Sequence, residues 1–444
     1  MSNNTHLVIG LGETGFSCVN YLVSKNISVI IADSREHPPK LHACREKFPR
    51  LPILLGKFTD AVFSQARTIV VSPGVSLEEP CIRKARENGA EIIGDVELFV
   101  RAAKAPIVAI TGSNGKSTLT TLMGELINHA GKKAVVCGNI GVPVLDCLSL
   151  PTPDYYVIEL SSFQLDTTYS LKAEVAVVIN VSADHMDRYK TFDDYLHSKR
   201  HIYDHCRYAV INADEKNIWE EKSFSHPPLS FTLQSPANPN QFGIQNGYLV
   251  QGENKLIKIS ELLLQQRHNN QNYLAALAMG KILKLPMKSM LETVKTFGGL
   301  PHRCQRVPTK DGVIWYNDSK GTNVGATIAA IESVGQSVSE KIILIAGGDS
   351  KAADLTPLQS PVSTYVSDVI VYGKDADRLA EALKMHARVK KVASLQAAVS
   401  AARVAAKHQS VVLFSPACSS LDQFKNYEAR GEAFVAAITA FAVE

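Results

Sequence analysis

The sequence predicts an α/β protein of parallel sheets flanked by helices, and three observations predict it. Short apolar, β-rich runs alternate with helix-patterned segments along the whole chain, which is how βα units read, and neither an all-β nor an all-α chain would show it. At 444 residues the chain exceeds one ordinary α/β core, so two or three domains are expected. Breaks at Gly94-Asp95-Val96 and Gly298-Gly299-Leu300-Pro301 divide it into three stretches, expected as domains 1–94, 95–299 and 300–444.

Composition bounds the function. With 45% hydrophobic and 20% charged residues the chain can bury several cores. Its 47 basic and 43 acidic residues leave a net charge of +4, so bulk charge implies no nucleic-acid partner and any basic site must be local. The eight cysteines contain no Cys-x-x-Cys pair and several lie in apolar runs, as expected of reduced, buried thiols in a cytoplasmic protein. Met1-Ser2-Asn3-Asn4 has no basic lead-in and runs straight into a strand-like segment, so no signal peptide is expected. No apolar stretch approaches the ~20 residues that would span a bilayer, so a soluble protein with no membrane partner is expected.

In the first stretch, strand-like runs fall at 6–9, 29–32 and 68–71. The first leads into Gly10-Leu11-Gly12-Glu13-Thr14-Gly15, and Asp33 closes the second strand about twenty residues on, the spacing of a dinucleotide fingerprint. The turn says only that backbone amides can approach a phosphate closely. An NAD-type dinucleotide and a UDP diphosphate satisfy it equally, and Ser72-Pro73-Gly74 after the third strand sits at the same sheet edge.

The second stretch opens with the buried-strand pattern 107–111 after Pro106, followed by Gly112-Ser113-Asn114-Gly115-Lys116-Ser117-Thr118 and a helix start. Strand, glycine turn and helix amino end are what a triphosphate needs, with Lys116 reaching the outer phosphates and Ser117 able to ligate magnesium. The general phosphate-loop pattern would place glycine at position 110, where this chain has Ile110. This loop favours ATP chemistry over an oxidoreductase, which has no need of a γ-phosphate site. Further strands are expected at 156–160, 175–180 and 208–212. Glu159 ends one of them, where it can hold magnesium beside Ser117. Asn180, Asp184, His185, Asp187 and Arg188 form a polar cluster after another, in which His185 could bind a second metal or position a phosphate. Lys199, in the helical stretch 195–203, reads by itself as a surface lysine. Residues 222–252, rich in Ser, Pro, Asn and Gln, are expected to be irregular or a short β excursion. The third stretch carries strands at 341–346, 369–372 and 411–415, enough for one more doubly wound domain.

Together, Thr111-Gly112-Ser113-Asn114-Gly115-Lys116-Ser117-Thr118, Glu159-Leu160-Ser161-Ser162-Phe163-Gln164-Leu165, Asp184-His185-Met186-Asp187-Arg188, Leu300-Pro301-His302-Arg303 and Asn317-Asp318-Ser319-Lys320-Gly321-Thr322-Asn323 resemble the Mur ligases of peptidoglycan synthesis. Ser415 to Tyr427, with Ser420-Leu421-Asp422-Gln423-Phe424, resembles the D-glutamate-adding branch. The resemblance covers essentially the whole chain. It implies three domains: an N-terminal Rossmann-like one, a central phosphate-loop mononucleotide-binding one and a C-terminal Rossmann-like one.

Residue roles follow from the resemblance. ATP would be held by Gly112, Ser113, Asn114, Gly115, Lys116, Ser117 and Thr118, completed by Asn272, Arg303 and Asp318. Ser117 and Glu159 would bind Mg2+, and a neighbouring metal position would use His185 and a carbamylated Lys199; Lys116, His185 and Lys199 are the catalytic candidates. UDP-N-acetylmuramoyl-L-alanine would lie against Gly12, Glu13, Thr14, Ser34, Arg35, Gly74 and Asn139. D-Glutamate would be held by Thr322, Lys351, Ser420 and Tyr427. Tyr427 stands where the family pattern has Phe, and Ser34 where it has Thr. A cytoplasmic monomer is expected. The rivals are a folylpolyglutamate-type ligase, which shares the phosphate loop, an NAD-dependent oxidoreductase, and a non-catalytic nucleotide-binding regulator.

Overall fold

The structure, a computed structural model, describes residues 5–440 apart from 65, 183–187, 265, 266, 308, 310, 311 and 337. It forms two compact units, residues 1–296 and 297–444.

The first unit holds two sheets. One is wholly parallel, in the order β3-β2-β1-β4-β5: β1 (Thr5–Ile9), β2 (Ser28–Asp33), β3 (Ile53–Leu55), β4 (Thr68–Val71) and β5 (Glu91–Ile93). The other has the order β14-β13-β12-β11-β10-β9-β6-β8-β7. Its parallel part is β6 (Ile107–Thr111), β7 (Ala134–Gly138), β8 (Tyr155–Glu159), β9 (Val175–Val178), β10 (Tyr208–Asn212) and β11 (Leu229–Phe231). Strand β12 (Phe242–Gln245) joins β11 in parallel, and antiparallel hairpins add β13 (Tyr248–Gln251) and β14 (Asn254–Lys258). Residues 222–252 therefore supply three of the strands at this edge.

Strands β6 and β9 read as continuous apolar runs because helices cover both faces, and every residue of each is buried. The helix Lys116–His129 packs by its period: Leu119, Leu122, Met123, Leu126 and Ile127 recur at three- and four-residue spacing, and all are buried. One apolar cluster runs through both sheets, from Val8 and Val19 to Ile158 and Val178. Within it Phe99, on the helix Asp95–Ala102, meets Tyr156 edge to face, with ring centroids 5.0 Å apart. That helix is fixed from the far side too. Gly94 N–H donates to Thr167 O at 3.0 Å, and the buried Glu97 carboxylate accepts from the amides of Tyr169 (2.7 Å) and Ser170 (3.0 Å).

The second unit has one sheet, in the order β15-β16-β20-β17-β18-β19. Its strands are β15 (Gln305–Val307), β16 (Ile314–Asn317), β17 (Ile342–Gly347), β18 (Val366–Tyr372), β19 (Arg388–Lys391) and β20 (Val411–Phe414), all parallel except β15. The last strand, β20, returns between β16 and β17. The loops after β16, β20 and β17, three neighbouring parallel strands, therefore lie side by side at one end of the sheet.

Seven of the eight cysteines are buried, Cys304 is partly so, and all are free thiols. Among the described residues no helix is long and apolar enough to cross a membrane.

Candidate active site

The loop after β6 has its shape from two glycines. Gly112 takes φ +156° and Gly115 takes φ +82° as the N-cap of the helix Lys116–His129. A Cβ at Gly115 would stand 2.6 Å from Asn272 Oδ1, so only glycine can both turn left-handed and lie against that amide. The helix start leaves free amides and the positive end of its dipole facing the loop's concave side. Lys116 lies back over the loop, its Nζ donating to Ser113 O at 3.0 Å. Ser117 and Thr118 follow in the first helical turn, half-buried.

Side chains from β9 onward fix the loop. Ser113 N–H donates to Asn180 O, and Asn114 N–H to Asn180 Oδ1 at 2.8 Å. The Ser113 hydroxyl donates to Ser182 O (3.0 Å) and shares a 2.9 Å hydrogen bond with Tyr195 OH. Tyr195 and Ser182 were not among the sequence candidates; Tyr195 begins the helical stretch in which only Lys199 was singled out. Lys199 is no surface lysine. It is 2% exposed, lies over the Tyr195 ring and donates from Nζ to Gly112 O at 2.9 Å. The resemblance implied a second metal position for Lys199 with His185; the structure sets its Nζ on the backbone of the phosphate loop.

Around this loop, Glu159 and Asn272 have buried polar atoms that lack partners among the described residues. Glu159, 2% exposed at the end of β8, accepts from Asn139 Nδ2 through Oε1 at 2.8 Å, while its Oε2 has none. Asn272, also 2% exposed, has none at either Oδ1 or Nδ2. Leaving a buried polar atom unsatisfied costs about 1–3 kcal/mol. Such atoms beside a glycine-lysine loop mark where a ligand makes the missing bonds. His185 and Asp184 lie outside the described residues.

On the first sheet, Gly12 caps the helix Glu13–Ser24, which Thr14 continues, and Glu13 projects to solvent in a 2.7 Å ion pair with Lys40. Gly10 takes φ +90°, and Ser72 Oγ donates to Gly10 O at 3.1 Å, so the turns after β1 and β4 do share one edge. Ser34, Arg35 and Gly74 are exposed there. Asp33 is already occupied. Its carboxylate accepts from Leu11 N–H (2.7 Å), from Arg35 N–H (2.9 Å) and from two guanidinium nitrogens of Arg35. Despite the cost of burial, these bonds hold its pKa below the ordinary carboxylate value. An acid spent in this way is not offered to a ribose diol, which removes the feature that favoured a dinucleotide. Arg188 reaches this edge from the central sheet, stacking on Phe163 and donating to Val75 O at 3.1 Å.

In the second unit the candidates gather over β16, β20 and β17. Asp318 follows β16 and is 7% exposed; burial pushes its pKa up to about 6, against donation from Ser415 Oγ (2.6 Å) and Cys304 N–H (3.1 Å). Arg303 is exposed nearby in sequence, and Thr322 is half-buried past a tight Lys320-Gly321 turn. Lys351 follows β17 with its side chain exposed, and Ser420 follows β20 with its side chain buried. An isolated antiparallel bridge between Asp349 and Ser419 joins these two loops. Tyr427 opens the helix Tyr427–Ala440, with Lys320 over its ring at 5.2 Å. Sequence reading missed what ties the three loops together. Arg430, fully buried, donates to Ser319 O (2.8 Å), Ser319 Oγ (3.1 Å) and Cys418 O (3.0 Å), and reaches Gly347 O. A lone arginine in a helical stretch gave no signal for this.

This arrangement has close counterparts. Residues 4–94 match the MurD-like Mur ligase N-terminal domain, 110–280 the Mur ligase middle domain and 302–418 the Mur ligase glutamate ligase domain. A protein of Coxiella burnetii named UDP-N-acetylmuramoylalanine–D-glutamate ligase is 46% identical, covering 99% of both chains. One of the same name from Legionella pneumophila is 43% identical, also over 99% of both. Among solved structures, the UDP-N-acetylmuramate-alanine ligase of Thermotoga maritima superposes with a TM-score of 0.56 at 16% identity, covering 99% of this chain and 100% of that one. A UDP-N-acetylmuramoyl-L-alanyl-D-glutamate–2,6-diaminopimelate ligase gives 0.59 at 18%, covering 84% and 92%. At those identities the structures speak for the fold alone. With a glycine-lysine loop set against a buried glutamate, matching domains across most of its length and full-length relatives above 40% identity, the chain belongs to the Mur ligase family.

Proposed function

We propose that the protein is an ATP-dependent amide ligase that adds D-glutamate to UDP-N-acetylmuramoyl-L-alanine through an acyl phosphate, in peptidoglycan precursor synthesis. The observation that carries the reading is the unpartnered Glu159 Oε2 and Asn272 amide buried around the Gly112–Lys116 loop. The names of full-length relatives supply the substrates. Residues 1–94 would bind the nucleotide sugar, 95–299 ATP and 300–444 the amino acid.

A carboxylate is a poor electrophile, so its oxygen must first accept the γ-phosphoryl group of ATP. Gly112, Gly115 and Thr118 offer backbone amides to the phosphates, Ser113 and Asn114, whose N–H groups are held by Asn180, set the curve of the loop, and Lys116 swings from Ser113 O to meet the outer phosphate. Asn272, Arg303 and Asp318 complete the nucleotide's contacts. The donors also fit Mg2+: the unpartnered, buried Glu159 Oε2 and the Ser117 hydroxyl are hard oxygen ligands, and Mg2+ is usually held by one or two carboxylates with water and phosphate oxygens. Ser117 and Glu159 would hold one ion, His185 and a carbamylated Lys199 a second. Bound there, Mg2+ neutralises charge developing on the transferring phosphoryl group. Gly12, Glu13, Thr14, Ser34, Arg35, Gly74 and Asn139 would bind the nucleotide-sugar substrate.

In the second unit Lys351 pairs with a carboxylate of D-glutamate, while Thr322, Ser420 and Tyr427 orient it so that a neutral amine faces the acyl phosphate. Attack gives a tetrahedral intermediate that collapses to amide and phosphate. The protein acts as a cytoplasmic monomer on these small molecules, with no nucleic-acid or membrane partner. The decisive assay is phosphate release from ATP with UDP-N-acetylmuramoyl-L-alanine, with and without D-glutamate. Release that does not depend on D-glutamate would refute the reading.

A further inference from the structure

Lys351 and Ala352 stand consecutively in the left-handed region, at φ +52° and +60°. Residues with a Cβ adopt that region at a cost, and two in succession persist only when their surroundings impose it. Here the surroundings are specific. Just before the pair, Ser350 is 6% exposed, and both its N–H and its hydroxyl donate to Asp375 Oδ2 at 2.7 Å. Arg378 donates from Nη1 to the same hydroxyl. Just after the pair, Arg378 Nη2 donates to Ala353 O at 2.9 Å. The turn is closed internally by Ala353 N–H on Ser350 O and by Lys351 N–H on Asp349 Oδ1. Asp375 is itself pinned, its N–H donating to Gly348 O at 3.0 Å. The Ser350 hydroxyl and amide keep its carboxyl below the ordinary carboxylate range.

We infer that Asp375 and Arg378, on the segment after β18, are positioning residues for amino-acid recognition. They grip Ser350 and Ala353 on either side of the left-handed pair and so fix the direction in which Lys351 presents its ammonium to the incoming carboxylate. Neither residue touches substrate. This rests on the reading of Lys351 as the amino acid's counter-charge.

The test is steady-state kinetics on full-length Asp375→Ala, Arg378→Met and Ser350→Ala, varying each substrate in turn, with amide hydrogen exchange over residues 350–353. Asp375→Ala should raise the KM for D-glutamate about tenfold, leave those for ATP and the nucleotide sugar within about twofold, and change kcat less than the KM. Arg378→Met and Ser350→Ala should raise the D-glutamate KM about threefold, Ser350→Ala retaining its amide bond to Asp375 if the harsher variants fail to fold. Exchange at Lys351 and Ala352 should quicken in all three. An unchanged D-glutamate KM would overturn the inference, as would a parallel rise of all three KM values with a lowered melting temperature, which a merely structural role would give. If the unaltered chain shows no D-glutamate-dependent phosphate release, the functional reading fails instead, and the brace is judged on exchange alone.

Discussion

The loop after β6 and the loop after β17 both leave a parallel strand and both turn left-handed, yet they are built in opposite ways. The first uses glycines, Gly112 and Gly115, so that bare backbone can lie against Asn272 and, on the proposed function, a phosphate. The second puts Lys351 and Ala352 into the same region and holds them there with Asp375 and Arg378. The difference follows from which part of the residue binds. Where amides are the ligands a Cβ obstructs; where a side chain is the ligand glycine has nothing to offer, and the neighbours must impose the turn.

Substitutions can sharpen or break this contrast. Lys116→Ala removes the lysine of the first loop and should lower kcat/KM by about 10³-fold or more, as loss of a phosphoryl-stabilising cation does elsewhere; near-normal turnover would end the comparison. Glu159→Ala should cost about 10²-fold and raise the magnesium concentration needed for half-maximal rate. An unaltered magnesium dependence would remove Glu159 from the metal site.

A third test concerns Asp318, whose pKa is raised to about 6 chiefly by burial. Since the folded form holds its proton more tightly than the unfolded one, it binds more protons between the two pKa values, and stability falls as pH rises through that window. Asp318 should therefore contribute a loss on the order of 2–3 kcal/mol between pH 4 and 6, read as the difference between the melting of the nucleotide-free protein and that of Asp318→Asn over this range. An Asp318→Asn curve parallel to that of the unaltered protein would show the carboxyl to be solvated. The smallest effects form a pair. Gly115→Ala, forced against Asn272 Oδ1, should raise the KM for ATP about tenfold, whereas Ala352→Gly should move stability by no more than about 1 kcal/mol. Equal effects would mean the two loops do not differ as described.

The contrast also explains what could be read from sequence. Strands β6, β9 and β20 were legible because burial on both faces makes them unbroken apolar runs. For 222–252 the sequence left an irregular stretch and a short β excursion both open, and β12 and β13 show the second; β14 was not foreseen, since an antiparallel edge mixes polar and apolar residues. Glycines announced the phosphate loop. Nothing announces a left-handed Lys351-Ala352, because the cause lies in Asp375 and Arg378 more than twenty residues away. Asn272 and Lys199 came from the resemblance alone. Asp33, correctly placed after β2, proved to brace its own turn.

The anchoring of the helix Asp95–Ala102 bears on how the chain matures. Strand β5 ends at Ile93, but Gly94 finds its acceptor in Thr167, and Glu97 finds its donors in Tyr169 and Ser170. On the ribosome, the amino-terminal sheet and the helix after it would emerge with that helix unanchored until some seventy more residues had been translated. Its final locking is thus a timed event that waits for the start of its neighbour.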